Sequence, residues 1–348
     1  MKKVDLEAHF YTRSVFEYLA QRIHYPKAIR VTSSELFNVY FSETVSLFHN
    51  EAFIDTLCDI ASQRIAAMDA AGLDQQVLSF STPSIDELHP DNQKAIELAI
   101  EMNDLIYTAT QNYPNRFKGF ATIAIGDIPA ATCELERCIQ DLKFVGWLTH
   151  SNFGKQNYLD AKKYWPLFEI AEAMNIPIYI HPTIPLMTEF TEYGFSLAGP
   201  PMGFQFDTAL CLLRMIYNGV FNQFPKLKII LGHLGEALPI LMPDRIDWAY
   251  KNKGIANNTY FAQSRPRLNK TPSEIILDNV YMTTSGRFSK AALDFTLNLM
   301  GKNRVLFASD YPYENLQDSV QFIDGCGYSE TIRKQIYYSN AQALGIVQ

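Results

Sequence analysis

Eight short apolar runs alternate with longer segments of helical pattern along the 348 residues of this chain. In order, the runs lie at Val4–Phe10, Gln76–Phe80, Phe117–Ala124, Val145–Thr149, Ile178–His181, Lys228–Gly232, Asn279–Thr283 and Arg304–Ser309. This alternation is typical of repeated βα units, and eight such units close into a (β/α)8 TIM barrel. The sequence therefore predicts an α/β barrel, and 348 residues match that fold with insertions.

The segments between the runs predict helices, and two stretches break the pattern. Helices are expected at Phe53–Ala70, Asp91–Asn112, Ala130–Lys143, Tyr164–Met174, Asp207–Asn222, Phe288–Met300 and Glu330–Tyr338. Residues 11–52 and Pro182–Gly203 lack a clear period, and we expect insertions there, after strands 1 and 5, where a barrel carries substrate-binding loops. No Pro/Gly/Ser-rich linker divides the chain, which predicts one domain over residues 1–348.

Composition excludes several classes of protein. With 47% apolar and 19% charged residues, the chain resembles an ordinary globular protein and not a disordered or membrane protein. A net charge of −7 argues against a nucleic-acid partner, because such proteins usually carry a basic face. Five scattered cysteines without a CxxC pair, and an N-terminus that reaches Asp5 without an apolar stretch, predict reduced thiols and a cytoplasmic location.

Five acidic or imidazole groups lie where four of the apolar runs end. Glu7 and His9 belong to the first run, His181 ends the fifth, His233 follows the sixth and Asp310 follows the eighth. Residues i and i+2 of a strand point to the same face, so Glu7 and His9 can both point into the barrel. Zinc and manganese take three or four such nitrogen and oxygen ligands.

Each of these groups, taken singly, also has a structural explanation. The Glu-x-His sequence suits a polar strand end in solvent, and His181 suits a hydrogen-bonded core position. His233 could cap a helix, and Asp310 could be the carboxylate of a cap or turn. The occurrence of all of them after strands 1, 5, 6 and 8 of one barrel favours a metal site.

Several segments carry a resemblance to a known family. They are Leu6–Phe10, Gly72–Ser79, Phe204–Ala209, Gly219–Phe221, Phe224–Lys228, Leu231–Glu236, Val280–Gly286 and Phe307–Glu314. Through them the chain resembles the metal-dependent amidohydrolase superfamily. Within it, the chain is similar to the nonoxidative decarboxylases of hydroxybenzoic acids (gamma-resorcylate, 2,3-dihydroxybenzoate and 5-carboxyvanillate), relatives of aminocarboxymuconate semialdehyde decarboxylase.

The resemblance implies a set of roles. One Zn²⁺ or Mn²⁺ ion per chain and no organic cofactor are implied, and so are the metal ligands Glu7, His9, His181 and Asp310. His233, Asp310 and Glu236 would be catalytic, with Glu236 holding His233. Two-metal hydrolytic members carry His-x-His on strand 1 and a lysine ending strand 4, and this chain has neither. His150, beyond strand 4, is then a rim ligand or, as we favour, a loop histidine.

The implied reaction is release of CO2 from an ortho-hydroxylated aromatic acid by protonation of the ring carbon. Arg245, acting across a subunit boundary, is the candidate to bind the substrate carboxylate, and a homodimer or homotetramer is implied. The spacing from Pro239 to Arg245 is one residue longer than usual, and a surface salt bridge explains this arginine equally well. The aromatic residues Phe37, Tyr40, Phe41 and Phe48 would wall the ring or fill the core.

Two other classes of function remain open. One is a mononuclear metal-dependent hydrolase of a lactone or amide, and the other is a noncatalytic scaffold that binds an aromatic acid or a partner chain. The presence of every implied ligand together with His233 favours an enzyme over a scaffold.

Overall fold

Eight parallel strands form a barrel in the computed structural model, which describes residues 1–30, 37–80, 82–154, 157–252 and 265–348. The strands are β1 (Val4–Phe10), β2 (Lys27–Arg30), β3 (Phe37–Tyr40), β4 (Ser46–His49), β5 (Gln75–Phe80), β6 (Phe117–Ala121), β7 (Gly146–His150), β8 (Pro177–His181), β9 (Lys228–Leu231), β10 (Val280–Thr283) and β11 (Val305–Leu306). The barrel order is β1-β5-β6-β7-β8-β9-β10-β11. The barrel prediction is confirmed, with each predicted run at a barrel strand.

The chain after β11 joins the last strand to the first. The Leu6 N–H donates to the Phe307 carbonyl at 3.2 Å, and the Asp310 N–H donates to the Glu7 carbonyl at 3.0 Å. The same contact brings Asp310 beside the end of β1, although it lies about three hundred residues away in the sequence.

A register shift in β1 lies between Asp5 and Ala8, next to the predicted ligands. Val4 and Leu6 pack inside the barrel with one residue from most of the other strands, including Val77, Phe120 and Ile230. Bulges of this kind re-aim side chains at barrel rims. Here the shift lets Leu6 fill the interior while Glu7 and His9 point into the mouth of the barrel.

Between β1 and β5 the chain forms a small structure of its own. Strands β2, β3 and β4 pair as an antiparallel sheet, with a helix at Arg13–Gln21 before it and one at Glu51–Cys58 after it. The three strands are four residues each, too short for an alternating pattern to stand out in the sequence.

The helices cover the outside of the barrel. The α-helices are Arg13–Gln21, Glu51–Cys58, Ser62–Ala71, Asn92–Asn112, Ile128–Gln140, Trp165–Ala173, Thr188–Thr191, Phe195–Ala198, Gly203–Tyr217, Val220–Gln223, Leu238–Leu241, Asp247–Asn252, Pro272–Asn279, Lys290–Met300, Leu316–Gly325, Glu330–Lys334 and Asn340–Ala343. Short 3₁₀ turns occur at Ile85–Glu87 and Lys162–Tyr164, and π-turns at Met242–Ile246 and Gln335–Ser339. None of the helices described is long and apolar enough to cross a membrane.

Two predicted helices are each interrupted. The helix expected at Phe53–Ala70 is two helices, Glu51–Cys58 and Ser62–Ala71, and Asp59 between them accepts the Arg64 N–H in the first turn of the second one at 2.6 Å. The helix expected at Asp207–Asn222 begins at Gly203 and breaks at Gly219, whose φ of 79° lies in the left-handed region. The sequence analysis also missed the helices Pro272–Asn279 and Leu316–Gly325.

Candidate metal centre

Four of the predicted site residues converge at the carboxyl ends of the strands. Glu7 and His9 come from β1, His181 is the last residue of β8, and Asp310 lies just beyond β11. One ligand atom from each of the four lies within 4.8 Å of the others. His9 Nε2 is 3.5 Å from Glu7 Oε1 and 3.3 Å from Asp310 Oδ1, and His181 Nε2 is 3.3 Å from Glu7 Oε1.

Hydrogen bonds on the far side of each ring fix which nitrogen faces the cluster. His181 Nδ1 is 2.8 Å from the Pro182 carbonyl oxygen, which can only accept, so Nδ1 carries the proton and Nε2 keeps its lone pair. His9 Nδ1 is 3.0 Å from Ser79 Oγ. Such partners orient metal-binding imidazoles and set their tautomer.

Two atoms of the cluster have no hydrogen-bond partner although they are fully buried. They are Glu7 Oε1 and His9 Nε2, and both point at the centre of the group. Burying such atoms unpaired is costly. Donors about 2.1 Å from a tetrahedral ion lie ~3.4 Å apart, close to the three spacings above. The donor set of two nitrogens and two oxygens therefore fits one divalent ion.

Charge within the cluster also favours a cation. Burial raises the pKa of Glu7, but the nearby imidazoles of His181, His233 and His9 outweigh it and hold that pKa well below its usual value. Burial likewise raises the pKa of Asp310, but the nearby imidazoles of His233 and His9 lower it overall. For His181, burial is the largest effect and lowers its pKa to about 4. Burial also lowers the pKa of His9, but the Asp310 and Glu7 carboxylates outweigh it and raise that pKa to about 9. The two carboxylates thus attract positive charge, and His181 offers a neutral nitrogen.

A strained turn carries His233 to the edge of this cluster. His233, Leu234, Glu236 and Ala237 have φ values of 54°, 60°, 52° and 64°, and Asp310 has a φ of 66°. Residues other than glycine rarely adopt positive φ values, and those that do cluster at functional sites. Gly235 lies in the same turn, where a Cβ atom would be 2.4 Å from Met282 Sδ.

This turn connects His233 with two carboxylates. His233 Nδ1 is 2.5 Å from Glu236 Oε1, while its Nε2 is 3.6 Å from Asp310 Oδ2. Burial lowers the pKa of His233, but the charge of Glu236, the nearby Asp310 carboxylate and the hydrogen bond with Glu236 hold it well above its usual value. A protonated imidazole beside Asp310 is suited to delivering a proton.

A cavity of about 290 Å³ opens above the cluster. Its apolar wall includes Phe41, Leu47, Phe195 and Phe204, and its polar floor includes His181, His233, Glu236 and Asp310. That volume is at the lower end of ordinary ligand pockets, ~300 Å³, which suits a ligand with one ring.

Comparison with known proteins identifies the family. The family model described as amidohydrolase matches residues 48–344. The chain belongs to the amidohydrolase family. It is 36% identical over 296 residues to a gamma-resorcylate decarboxylase from Polaromonas sp. (strain JS666 / ATCC BAA-500), covering 83% of this chain and 88% of that protein.

Two solved structures are also similar to this amidohydrolase. One is 2,6-dihydroxybenzoate decarboxylase complexed with 2,6-dihydroxybenzoate, with a TM-score of 0.81, 30% identity and 100% of both chains covered. The other is 5-carboxyvanillate decarboxylase from Novosphingobium aromaticivorans complexed with manganese and 4-hydroxy-3-methoxy-5-nitrobenzoic acid. Its TM-score is 0.86 at 29% identity, with 99% of this chain and 96% of that chain covered. The resemblance found in the sequence is confirmed.

Arg245 is placed away from the cavity of this amidohydrolase. It lies in the turn Met242–Ile246 with its side chain 73% exposed, and its Nε is 3.8 Å from Asp244 Oδ2. Other residues line the cavity described above. A role for Arg245 across a subunit boundary stays a prediction.

His150 is not a loop histidine, and that interpretation was wrong. It is the last residue of β7 and is fully buried. Its Nδ1 lies 3.1 Å from Asp86 Oδ1. Its ring centroid is 5.4 Å from that of His181. Asp86, Glu87 and His150 form a second polar group beside the candidate metal centre.

The aromatic residues expected around the substrate divide between two roles. Phe41 lines the cavity, whereas Phe37 is buried and stacks on Phe16. Phe48 is 54% exposed, and the Tyr40 hydroxyl accepts from Asn38 Nδ2. These four residues lie in or beside short strands, and the sequence pattern alone could not show which of them faces the cavity.

Several residues at the site were missed by the sequence analysis. Tyr179 donates a hydrogen bond to Glu7 Oε2, and its place two residues before His181 in a strand was a usable signal, because both side chains face one way. Arg287, Tyr313 and Glu314 line the cavity from loops after β10 and β11. Loop residues of this kind carry no periodicity from which their direction can be predicted.

Proposed function

We propose that this amidohydrolase is a nonoxidative carboxy-lyase that releases CO2 from an ortho-hydroxylated aromatic carboxylic acid. The observation that carries the proposal is that Asp310 belongs both to the four-donor cluster and to the His233–Glu236 pair, in one ring-sized cavity. The 36% identity to a gamma-resorcylate decarboxylase supports this reaction class.

Glu7, His9, His181 and Asp310 would hold one divalent ion, Zn²⁺ or Mn²⁺. The mixed nitrogen and oxygen donors suit both metals, and a similar solved decarboxylase is complexed with manganese. When bound, the ion supplies positive charge that binds and orients the phenolic and carboxylate oxygens of the substrate.

The protein's own residues would deliver a proton to the ring. Glu236 accepts from His233 Nδ1 and fixes that ring, so that His233 Nε2 faces Asp310 Oδ2. A proton passes from the Asp310–His233 pair to the carbon bearing the carboxylate, with either residue as the immediate donor. The bond from that carbon to the carboxylate then breaks, CO2 leaves, and the electron pair restores the aromatic ring.

The walls of the cavity would hold the ring in place for this step. Phe41 and Phe204 offer apolar contacts, while the polar groups gather on one side of the cavity. Proton transfer to carbon depends strongly on alignment. A ring held against the apolar wall would keep its reacting carbon towards the polar groups.

The hydrolase alternative has less support. The end of β7 carries Thr149 and His150 and no lysine, which argues against a two-metal hydrolase, whereas the mononuclear hydrolase needs no such lysine. The similar proteins reported above are decarboxylases.

The proposal is tested by measuring metal content and CO2 release in one preparation. We expect about one ion per chain and CO2 from at least one member of a panel of ortho-hydroxybenzoates. Chelation should abolish release, and Mn²⁺ or Zn²⁺ should restore it. Hydrolysis of lactones by the loaded protein, with no CO2 from any acid, would instead support the hydrolase.

A further inference from the structure

Arg287 is a cation that lines the cavity. It belongs neither to the four-residue metal cluster nor to the Asp310–His233 pair. It follows the turn after β10, where the Arg287 N–H donates to the Thr284 carbonyl at 3.3 Å. Phe288, the next residue, packs edge-on against Phe322 with ring centroids 5.7 Å apart. The backbone is therefore anchored on both sides of Arg287.

The guanidinium pairs with no residue in the part of the chain that the structure describes. Among the residues that the structure describes, none accepts a hydrogen bond from it or forms an ion pair with it, although the residue is partly buried. The other long cations near barrel ends are engaged, as Arg64 is with the His9 carbonyl at 2.7 Å. A guanidinium presents a planar fork of N–H donors that matches a carboxylate, so an unpaired one on a cavity wall can bind an anion there.

The neighbouring glycine places this arginine close to the reacting groups. A Cβ atom on Gly286 would lie 3.3 Å from His233 Cδ2 and 3.9 Å from Asp310 Oδ2. The φ of Gly286 is +58°, so the chain turns sharply there, and Arg287 lines both this cavity and the neighbouring one that contains Ile240 and Phe295. Arg287 is thus the next residue after the point where the backbone comes close to the Asp310–His233 pair.

The described lining of the cavity carries more carboxylates than lysine and arginine side chains. Its described lining contains three carboxylates, Glu236, Asp310 and Glu314, against Arg287 as the single lysine or arginine and the His233 imidazole, which is already paired with Glu236. An aromatic acid entering a cavity of that charge is repelled unless a cation faces it. The metal site supplies one such cation, and Arg287 supplies a second on the wall.

We infer that Arg287 binds the carboxylate of the aromatic acid. The inference rests on the proposed function for the identity of the ligand. Arg287 lies in the cavity of its own chain, whereas Arg245 is exposed and could reach a substrate only in a neighbouring subunit. Since the decarboxylated product has no carboxylate, Arg287 distinguishes substrate from product and favours product release.

The consequence for kinetics follows from which state the arginine contacts. In the proposed step the ring is protonated before the bond to the carboxylate breaks, so the carboxylate keeps its charge and Arg287 contributes about equally to binding of the acid and to the protonation transition state. Removing it should therefore raise KM and change kcat little. A hydrogen bond to a charged group corresponds to roughly ten- to hundredfold in affinity.

The test is a calorimetric titration with matched pairs of ligands. All proteins compared contain metal and carry His233→Asn, so that the acids bind without being turned over, and the wild type refers to position 287. The acids are 2,6-dihydroxybenzoate and 2-hydroxybenzoate, and the matched neutral rings are 1,3-dihydroxybenzene and phenol. We expect Arg287→Gln to weaken binding of the acids about tenfold or more and to leave the neutral rings within about twofold of the wild type. Arg287→Lys should be intermediate, since it keeps charge without the planar fork.

Two further variants make the result specific. Arg304→Gln is the matched control, because Arg304 is also partly buried but lies before β11, with its guanidinium over the Tyr281 ring. Arg245→Gln tests the competing assignment. Unchanged acid binding in Arg287→Gln, equal weakening of acids and neutral rings, loss in Arg245→Gln alone, or no acid binding to the wild type would each overturn the inference.

The inference and the proposed function fail separately. Arginine-dependent binding of acids without CO2 release would keep Arg287 as the carboxylate site and remove the decarboxylase. Release of CO2 with the same KM in the wild type and in Arg287→Gln would keep the decarboxylase and remove the role of Arg287.

Discussion

Single residues at the barrel mouth divide into those that would hold a metal and those that would move a proton. The dividing feature is the partner of Nδ1 in each imidazole. In His181 that partner is a carbonyl oxygen, which leaves a neutral Nε2 as a ligand. In His233 it is the carboxylate of Glu236, which favours a charged ring. The same side chain thus serves two kinds of chemistry through its neighbours.

Replacing His181 should remove the metal. We expect His181→Ala to lose bound ion and activity together, because it deletes one of four donors. Plasma mass spectrometry of the purified variant measures the ion, and His24→Ala, at an exposed position, is the control. Full metal occupancy in His181→Ala would remove this residue from the ligand set.

Replacing His233 should spare the metal. We expect His233→Asn to keep the ion and to lose turnover by about 10²–10⁴-fold, the usual contribution of a positioned acid or base. Initial rates of CO2 release, read beside the metal content, measure both. Wild-type turnover in this variant would contradict a role in proton transfer.

The sequence analysis selected the candidate ligands by their position after strands, and the structure brings those residues together. It did not identify Arg287, whose direction depends on the turn at Gly286, nor the exposed placement of Arg245. The strand pattern predicts where a strand ends but not how the following loop turns. The roles of the individual residues remain proposals.

At the scale of elements, the turn 233–237 stores strain that the barrel must support. Ala237 has a φ of 64°, which costs a residue with a Cβ atom roughly 1–2 kcal/mol. We therefore expect Ala237→Gly to raise the free energy of unfolding by about 0.5–1 kcal/mol, after the entropy cost of glycine.

The matched control is the same substitution in a relaxed helix. Ala66 is exposed in the helix Ser62–Ala71, and Ala66→Gly should lower the free energy of unfolding by about 1 kcal/mol. Chemical denaturation measures both changes. Destabilisation by Ala237→Gly of the same size as by Ala66→Gly would show that the turn is not strained.

The small sheet between β1 and β5 should make stability depend on pH. His49 at the end of β4 is buried among Phe16 and Phe53, and this burial lowers its pKa from 6.5 to about 4. Below pH 6.5 the unfolded chain takes up a proton that the folded chain accepts only near pH 4. The associated stability is therefore present above pH 6.5 and lost as the pH falls towards 4.

Removing this imidazole should flatten that dependence. Between pH 7 and pH 5 the wild type should lose about 2 kcal/mol more unfolding free energy than His49→Gln, which cannot titrate. Urea denaturation at the two pH values measures the difference. Equal losses in the two proteins would show that His49 titrates alike in the folded and unfolded states.

Elements differ in how well the sequence predicts them. The barrel strands stand out because each is an apolar run bounded by helical patterns, although the predicted Phe117–Ala124 extends too far. The strand ends at Ala121 because the Thr122 N–H donates to Asn103 Oδ1 and not to a neighbouring strand. Contacts of this kind between distant segments are not visible in a local pattern.

At the scale of the whole molecule, the barrel collects residues from both ends of the chain. Glu7 and Asp310 meet because β1 and the segment after β11 are neighbours across the closure of the barrel. One domain over residues 1–348 and a homodimer or homotetramer remain predictions. Light scattering of the purified protein measures the assembly, and a monomeric mass would remove the second of them.

A labelling experiment in D2O tests the proposed reaction as a whole. A decarboxylase that protonates the ring should place one deuterium on the vacated carbon for every CO2 released, as read by NMR of the phenolic product. Product incubated without enzyme controls for solvent exchange. CO2 release without deuterium on that carbon, or a product formed by addition of water, would rule out ring protonation by the Asp310–His233 pair.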